Sequence, residues 1–417
     1  MKYAKSVGAA LCAAALLGSC GSSSDDLMKK VTPNPLAAQT AAAEADAGAA
    51  AIADFGLKLL GNCMDKGRNT LVSPLSVLCA MGMTANGANS ETRAQMEAAF
   101  GMTVEELNQN LYLLAKGLPS EEKMSIWLAN GLWINEACGP EVLPSFLQQN
   151  ADYYGAEMRQ GVFGSDTLRE INGWVKKNTN GLIDKILEGP VDNYTMILVN
   201  ALCFEAEWAK IYEDTQVRDG DFTTAGGKTQ QVKFLYNNEY AYLSDEQAQG
   251  FYKPYAGGKY AFMALLPDEG VNLEDYAASL TGESFTKMIG QMSHEMVITA
   301  IPKFETSFSV TLNDALKAMG ITDAFDERAA DFSQMYNFSD LENERVWIDK
   351  VLHKTHIIVD EKGTRAGAAT AVMMNSAAAP SSEEPKKVIL NRPFLYALID
   401  TTNGIPLFLG LQTDCLS

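Results

Sequence analysis

The spacing of apolar residues predicts several helices. From about residue 49 to residue 66, apolar side chains fall near one face of a helix, which ends at a turn. Ser73 is placed as the N-cap of a second apolar helix that runs to Ala85, with Pro74 at its first position. Two later stretches have the same periodicity, 165–178 and 311–319.

Short runs rich in β-branched and aromatic residues, bounded by polar or Gly/Pro segments, predict strands. The four clearest are 125–134, 195–205, 260–266 and 295–304. Helices and strands alternate irregularly, with no internal repeat and no repeated βαβ unit. We therefore expect an α+β fold in one large domain.

Composition and charge limit the classes of partner. Of the 417 residues, 47% are hydrophobic and 20% are charged, which is typical of a globular protein with a large core. The formal net charge of −19 and the lack of a basic run argue against nucleic acid or an anionic membrane surface as partner. A basic protein partner fits this charge better.

The N-terminus has the features of an export signal. Lys2 and Lys5 precede an apolar run over 7–17, which is too short to span a bilayer as a mature helix. The run ends in Leu-Gly-Ser-Cys at 17–20, which resembles a bacterial lipoprotein box with Cys20 as the lipidated residue. The alternative is an ordinary secretory signal in which Cys20 has no special role.

The residues after Cys20 favour the lipid anchor. They are rich in Gly, Ser, Asp, Pro and Ala, which is typical of a flexible linker. We expect a signal peptide over 1–20, a flexible tether over 21–47 and a folded domain over 48–417. The protein is then exported and held in a membrane by its lipid, facing either the periplasm or the cell exterior.

No residue pattern indicates an enzyme. The chain has three histidines and lacks a GxSxG elbow, an HExxH helix and a nucleotide-binding loop. His353 and His356 differ in parity, so on one strand they face opposite sides and cannot share a metal. The cysteines show no CxxC spacing. We expect no catalysis, no cofactor and no metal site.

The last forty residues resemble a known family. Residues 388–398, Val-Ile-Leu-Asn-Arg-Pro-Phe-Leu-Tyr-Ala-Leu, match the C-terminal signature of the serpins, the serine protease inhibitors, at every defined position, and 406–410 continue as that family does. The same residues also describe two apolar strands joined by a turn at 402–404. Other segments resemble serpins in the expected order, so that the resemblance covers about 48–415: 69–76, 86–88, 128–130, 179–181, 199–201, 302–304 and 331–333.

This resemblance implies a specific architecture and mechanism. Serpins have three β-sheets surrounded by eight or nine helices, and an exposed reactive loop, here about 361–387. A serine protease attacks the loop and forms an acyl-enzyme, and the cleaved loop then inserts into the large central sheet, as in the general case of serpin loop insertion. The resemblance implies a protease as covalent partner and a monomer that can also form loop-sheet polymers.

The start of the loop is called the hinge, and the resemblance implies that it begins at Glu361. Its side chains permit insertion. Alternate residues of an inserted strand point into the protein and must be small. We expect Gly363 to supply backbone freedom, and no proline blocks pairing before Ala379. The inward set is uniformly small and uncharged: Thr364, Ala366, Ala368 and Thr370.

Two hinge residues depart from the usual pattern of inhibitory serpins. Arg365 stands where Glu is frequent, and Gly367 stands where Ala is frequent. Neither adds bulk to the inward set, although Gly367 adds an entropy cost inside a strand. Slower insertion is expected. Without the family resemblance, this stretch would be read as a flexible surface linker.

Counting from the hinge glutamate, as the resemblance implies, places the scissile bond at Ala377-Ala378. The surrounding residues are small and apolar, which suits elastase-like or subtilisin-like pockets and not trypsin-like ones. Pro380 makes cleavage after Ala379 unfavourable, which leaves the bonds before Ala377 and after Ala378 as alternatives. A non-inhibitory serpin that binds a ligand or is only a protease substrate is the alternative function.

Further positions match residues that control sheet opening in the family. Lys303 with Glu361 also fits a surface ion pair of small energetic value, and Ser73 also fits a helix cap. The resemblance implies that the full set controls opening: Ser73, Ser76, Asn200, Trp208, Lys303 and His353.

Overall fold

The computed structural model describes residues 24–34, 42–121, 123–137, 141–338, 346–364 and 385–416, with the backbone alone described for 42–47. The described chain contains nine α-helices: α1 (Ala42–Cys63), α2 (Pro74–Ala85), α3 (Ser90–Phe100), α4 (Val104–Lys116), α5 (Pro144–Tyr154), α6 (Ser165–Asn178), α7 (Leu273–Ser279), α8 (Gly282–Gly290) and α9 (Asn313–Ala318). Two short 3-10 turns lie at Asp214–Gln216 and Asp323–Phe325.

The strands are numbered in chain order. They are β1 (Asp25–Asp26), β2 (Thr70–Val72), β3 (Ser120–Glu121), β4 (Met124–Asn135), β5 (Glu141–Val142), β6 (Glu157–Gly161), β7 (Met196–Glu207), β8 (Val217–Thr223), β9 (Thr229–Glu239), β10 (Tyr242–Ser244), β11 (Ala248–Pro254), β12 (Tyr260–Pro267), β13 (Val297–Pro302), β14 (Phe304–Thr311), β15 (Tyr336–Asn337), β16 (Lys350–Val359), β17 (Gly363–Thr364), β18 (Lys386–Ile389), β19 (Phe394–Asp400) and β20 (Pro406–Gln412).

Three large sheets and one two-stranded sheet organise the described chain. The central sheet has the order β1-β6-β4-β7-β17-β16-β14, with β3 paired to β4. The second has the order β10-β11-β12-β19-β20-β2, the third is β18-β13-β9-β8, and β5 pairs with β15. The predicted α+β class and the expectation of three large sheets with eight or nine helices are confirmed.

Helix α2 lies in the core beneath the central sheet. Ser73 caps it as predicted, because its side-chain oxygen accepts a hydrogen bond from the Ser76 backbone N–H at 3.3 Å, and Pro74 occupies the first helical turn. All twelve residues of this helix are buried. A second, smaller core lies on the opposite side of the sheet, between the sheet and α6. The central sheet is therefore packed on both faces.

The segment after Cys20 differs from the expected flexible tether over 21–47. Residues 24–34 lie against the folded body, where β1 pairs antiparallel with β6. The Leu27 backbone N–H donates to the Met158 carbonyl. The backbone N–H and the side-chain amide of Asn34 both donate to the Asp152 carboxylate. The first helix begins at residue 42, before the predicted domain boundary at 48. At least part of the predicted tether is docked along an edge of the central sheet.

The predicted strand over 295–304 is in fact parts of two strands in different sheets. Strand β13 ends at Pro302 in the third sheet, and β14 begins at Phe304 in the central sheet. Lys303 lies between them, where the chain crosses from one sheet to the other. A continuous run of β-forming residues cannot reveal this crossing, because both halves have strand propensity.

Within the described residues, no helix is long and apolar enough to cross a membrane. The four cysteines whose side chains are described are all buried and free. In the same part of the chain, no three potential metal-ligating side chains are grouped together.

Candidate functional site

The hinge begins inside the central sheet. After β16 the chain turns at Asp360 and returns as β17, so that Thr364 lies opposite Val359 on one side and opposite Ala206 of β7 on the other. The Asp360 carboxylate accepts hydrogen bonds from the backbone N–H groups of Lys362 and Gly363, which stabilises this turn. The first two residues of the hinge strand thus already separate β7 from β16 at one end of the sheet.

Gly363 is required by a close approach between strands. A Cβ atom at this position would lie 2.0 Å from the Ala206 carbonyl oxygen, a backbone atom that cannot move aside. Several other glycines have a positive φ, in the left-handed region, but Gly363 does not. Steric fit against β7, rather than the expected backbone freedom, therefore explains glycine at this position.

Thr364 points into the protein. Its side chain is fully buried, and its hydroxyl lies 2.5 Å from the Tyr255 hydroxyl. The Tyr255 ring stacks on Trp208 with centroids 4.6 Å apart and an interplanar angle of 7°. Burial raises the pKa of Tyr255, which keeps its hydroxyl protonated and able to bond Thr364.

Three further hydrogen bonds hold the turn before the hinge. The Trp208 backbone N–H donates to the Lys362 carbonyl at 2.9 Å, and the indole N–H of Trp208 donates to the Asp360 carbonyl at 2.8 Å. The Tyr212 backbone N–H donates to the Glu361 carbonyl at 2.9 Å. The segment 208–212, which follows β7, therefore fixes the position from which the loop departs.

Lys303 and Glu361 form an ion pair beside this turn. Their nitrogen and oxygen atoms are 2.5 Å apart, and each side chain is about one-third exposed. Burial, the largest single influence, raises the pKa of the Glu361 carboxyl, but the hydrogen bond from Lys303, a backbone hydrogen bond and the nearby positive charges together outweigh it, so the pKa lies below its ordinary value. Solvent screens the pair, so its contribution to stability is small.

Below the hinge, β7 and β16 are joined only over part of their length. Residues 197–201 pair in parallel with 350–354, and this contact places His353 opposite Asn200. Within the described chain, 202–205 and 355–358 are not paired with each other. The two strands thus enclose a gap that is bounded by β17 at one end and by the His353 pair at the other.

A buried polar cluster closes the far end of this gap. The Ser73 backbone N–H donates to His353 Nε2 at 3.1 Å, which requires the neutral imidazole with its proton on Nδ1. The ring is 1% exposed, and burial lowers the pKa of His353 to about 4. The Asn200 amide donates to the Asn130 side-chain oxygen, which links β7 to β4.

This cluster leaves hydrogen-bonding capacity unused. His353 Nδ1, the Ser76 hydroxyl and the Asn200 side-chain oxygen are buried without a partner among the described residues. Unpaired buried polar atoms destabilise the state that contains them. Because His353 lies in the pairing between β16 and β7, separation of these strands would change the surroundings of the cluster, which fits the control of sheet opening that the family resemblance implies.

The structure brings the expected control residues into two groups along one gap. Trp208, Lys303 and Glu361 lie at the end bounded by β17. The other end is surrounded by the rest of the set: Ser73, Ser76, Asn200 and His353. The other sequence-based candidates lie outside the described residues: Cys20, Ala366, Ala368, Thr370, Ala377 and Ala378.

Sequence reasoning missed Asn130, Tyr212 and Tyr255, which bind Asn200, Glu361 and Thr364 respectively. An aromatic or amide residue inside a strand carries no signal of such a contact. It also missed the hairpin from β16 to β17. Asp360 with Gly363 three residues later is a turn signal that could have predicted it.

Comparisons with known proteins agree with this geometry. A family model described as Serpin (serine protease inhibitor) matches residues 50–415. The crystal structure of a thermophilic serpin, tengpin, in the native state superposes with a TM-score of 0.86 at 40% identity, over 94% of this chain and 99% of that one. Bovine Serpin B8 (Bos taurus) is 32% identical over 85% of this chain and 95% of its own length. Human leukocyte elastase inhibitor (Homo sapiens) is 30% identical, with coverage of 82% and 92%.

Proposed function

Because the chain belongs to the serpin family of serine protease inhibitors, we propose that it traps a serine protease by inserting its cleaved loop into the gap between β7 and β16. The observation that carries this proposal is the position of Gly363 and Thr364, which already pair with β7 at the mouth of the gap. Insertion needs only to extend an existing strand. This avoids the cost of nucleating a new strand inside a closed sheet.

The register predicts where the inserted loop would end. Thr364 pairs with Ala206 in an antiparallel register, so each later loop residue moves one position back along β7. Ala377 comes thirteen residues after Thr364 and would lie level with residue 193, just beyond the first residue of β7, Met196. A loop cleaved after Ala377 would therefore span the full length of the sheet and carry the attached protease to its other end.

The chemistry follows from acyl transfer. The catalytic serine of the protease attacks the Ala377 carbonyl, the bond to the Ala378 nitrogen breaks, and an acyl-enzyme forms. The 378–417 fragment is released from the attacked carbonyl, and insertion must occur before water hydrolyses the ester. Alanine on the acyl side suits the shallow pocket of elastase-like or subtilisin-like proteases, and similarity to leukocyte elastase inhibitor supports the same class of target.

Incubation with pancreatic elastase tests this proposal. We expect a complex that resists SDS and has a mass close to the sum of both proteins, less the released C-terminal peptide. Elastase whose catalytic serine is blocked is the control and should form no such complex. Mass spectrometry of the released peptide should give Ala378 as the new N-terminus. Complete loop cleavage without a complex would reject inhibition and favour the non-inhibitory alternative.

We also propose that the protein is exported and held in a membrane through lipid on Cys20. The apolar run over 7–17 and the Leu-Gly-Ser-Cys sequence that ends at Cys20 support this proposal. Metabolic labelling with a palmitate analogue in a bacterial host should label the wild-type chain in the membrane fraction. The Cys20→Ser variant should be unlabelled and leave that fraction. Equal labelling of both proteins would contradict the anchor.

A further inference from the structure

A buried ion pair lies behind the segment that holds the hinge. Lys253 of β11 and Glu239 of β9 are 3.0 Å apart at Nζ and Oε1, and their side chains are 1% and 10% exposed. The Asn237 amide also donates to Glu239 Oε1 at 2.9 Å. Burial lowers the pKa of Lys253, whereas the Glu239 carboxylate favours its charged form. An ion pair in such a position is unusual, because desolvation opposes it.

The contacts of Lys253 are directed at one segment. Besides Glu239, its ammonium donates to the Lys210 carbonyl at 3.2 Å. It also lies 4.3 Å from the centre of the Tyr212 ring and 5.3 Å from the centre of the Trp208 ring. Both distances are within the range of a cation–π interaction, which is strongest where water is excluded. Of the four groups that contact the ammonium, only the Glu239 carboxylate lies outside the segment 208–212.

That segment is the one that holds the turn before the hinge. The backbone N–H groups of Trp208 and Tyr212 donate to the carbonyls of Lys362 and Glu361, and the Trp208 indole donates to Asp360. One backbone contact and two ring contacts therefore connect the Lys253 ammonium to the residues that bind the start of the loop. Packing alone does not require a charge here, since apolar side chains of similar volume often replace a buried pair without loss of stability.

We propose that Lys253, neutralised by Glu239, is a positioning residue that fixes segment 208–212 and thereby limits how readily the loop enters the gap. This inference rests on the proposed function for its effect on inhibition, but not for its effect on the segment itself. Loss of the charge loosens 208–212, weakens its hydrogen bonds to the turn, and allows the uncleaved loop to insert and lose its inhibitory form.

The test compares four variants with the wild-type chain. E239M/K253M replaces the pair with apolar side chains, K253R keeps the charge, and K253Q keeps hydrogen bonding without the charge. K259M is the matched control, because Lys259 also contacts a carboxylate, a carbonyl and a tyrosine ring but does not contact 208–212. For each protein, hydrogen exchange is measured at 208–212 and 360–364, and the melting temperature is determined. Inhibitory capacity towards elastase is followed over time during incubation at one fixed temperature below melting.

We expect exchange in both segments to be about ten-fold faster in E239M/K253M and K253Q, which corresponds to about 1.4 kcal/mol. Exchange should be near the wild-type rate in K253R and K259M. The double variant should keep its melting temperature while losing inhibitory capacity faster. Unchanged exchange in E239M/K253M and K253Q, or an equal increase in K259M, would overturn the proposal. If the wild-type chain forms no complex with elastase, the proposed function fails while hydrogen exchange still decides the role of Lys253.

Discussion

Protonation of His353 should weaken the native state in mild acid. In the folded protein its pKa is about 4, compared with 6.5 for an ordinary histidine, because the ring is buried. The unfolded chain therefore binds a proton at a higher pH than the native chain does. The stability supported by the neutral ring is complete above pH 6.5, and it falls as the pH decreases from about 6.5 to about 4.

The size of this effect follows from the pKa difference. About 2.5 pH units at roughly 1.4 kcal/mol each give a loss of about 3 kcal/mol over this range. Below about pH 4 the same group should cause no further loss. The Ser73 N–H contact acts in the same direction as burial, because it requires an unprotonated Nε2 and is lost when that nitrogen gains a proton.

Urea unfolding of freshly prepared protein at a series of pH values between 4 and 7.5 measures the effect. The His353→Gln variant is the comparison, because its side-chain oxygen can still accept a hydrogen bond from Ser73 but does not titrate. Other acidic and basic groups affect both proteins equally. The difference between the two unfolding midpoints should change with pH only in the window from about 6.5 to 4. Parallel pH curves would refute the assignment of this dependence to His353.

Two substitutions in the hinge and one beside it give further predictions. Thr364→Arg places a charge in a fully buried position, so elastase should cleave the loop completely without forming an SDS-resistant complex; a complex at the wild-type yield would contradict this. Gly363→Ala brings a Cβ within 2.0 Å of the Ala206 carbonyl, so β17 should leave β7 and amide exchange in 360–364 should increase; unchanged exchange would show that the backbone adapts. Lys303→Met removes a pair that is one-third exposed, so it should cost at most about 1 kcal/mol in urea unfolding, and a larger loss would contradict the argument that solvent screens the pair.

The parts of the fold that the sequence predicted well are those governed by local signals. Helix α6 has the predicted bounds, and α2 begins at Pro74 after its Ser73 cap. Apolar periodicity predicted both helices and the Ser-Pro start predicted the first residue of α2, and both signals act over a few residues. The C-terminal pair β19 and β20 also lies within the apolar signature, joined by the predicted turn.

Contacts between distant residues were not predictable in this way. Nothing in the composition of 24–34 indicates that β1 joins the edge of the central sheet, because a two-residue strand has no periodicity. The sequence also did not show that Gly363 and Thr364 are already paired between β7 and β16, because this pairing depends on the space between those two strands. The His353 cluster could be assembled only through resemblance, because its members come from three separated elements that tertiary packing brings together.

The central claim is that cleavage converts the loop into a new strand between β7 and β16. Hydrogen exchange of the intact and elastase-cleaved proteins tests it most directly at 202–205 and 355–358, whose edges face each other across the gap. If the loop inserts, amides in both segments should gain protection on cleavage, and the melting temperature should rise. Unchanged exchange in both segments after complete cleavage at Ala377-Ala378 would contradict the claim.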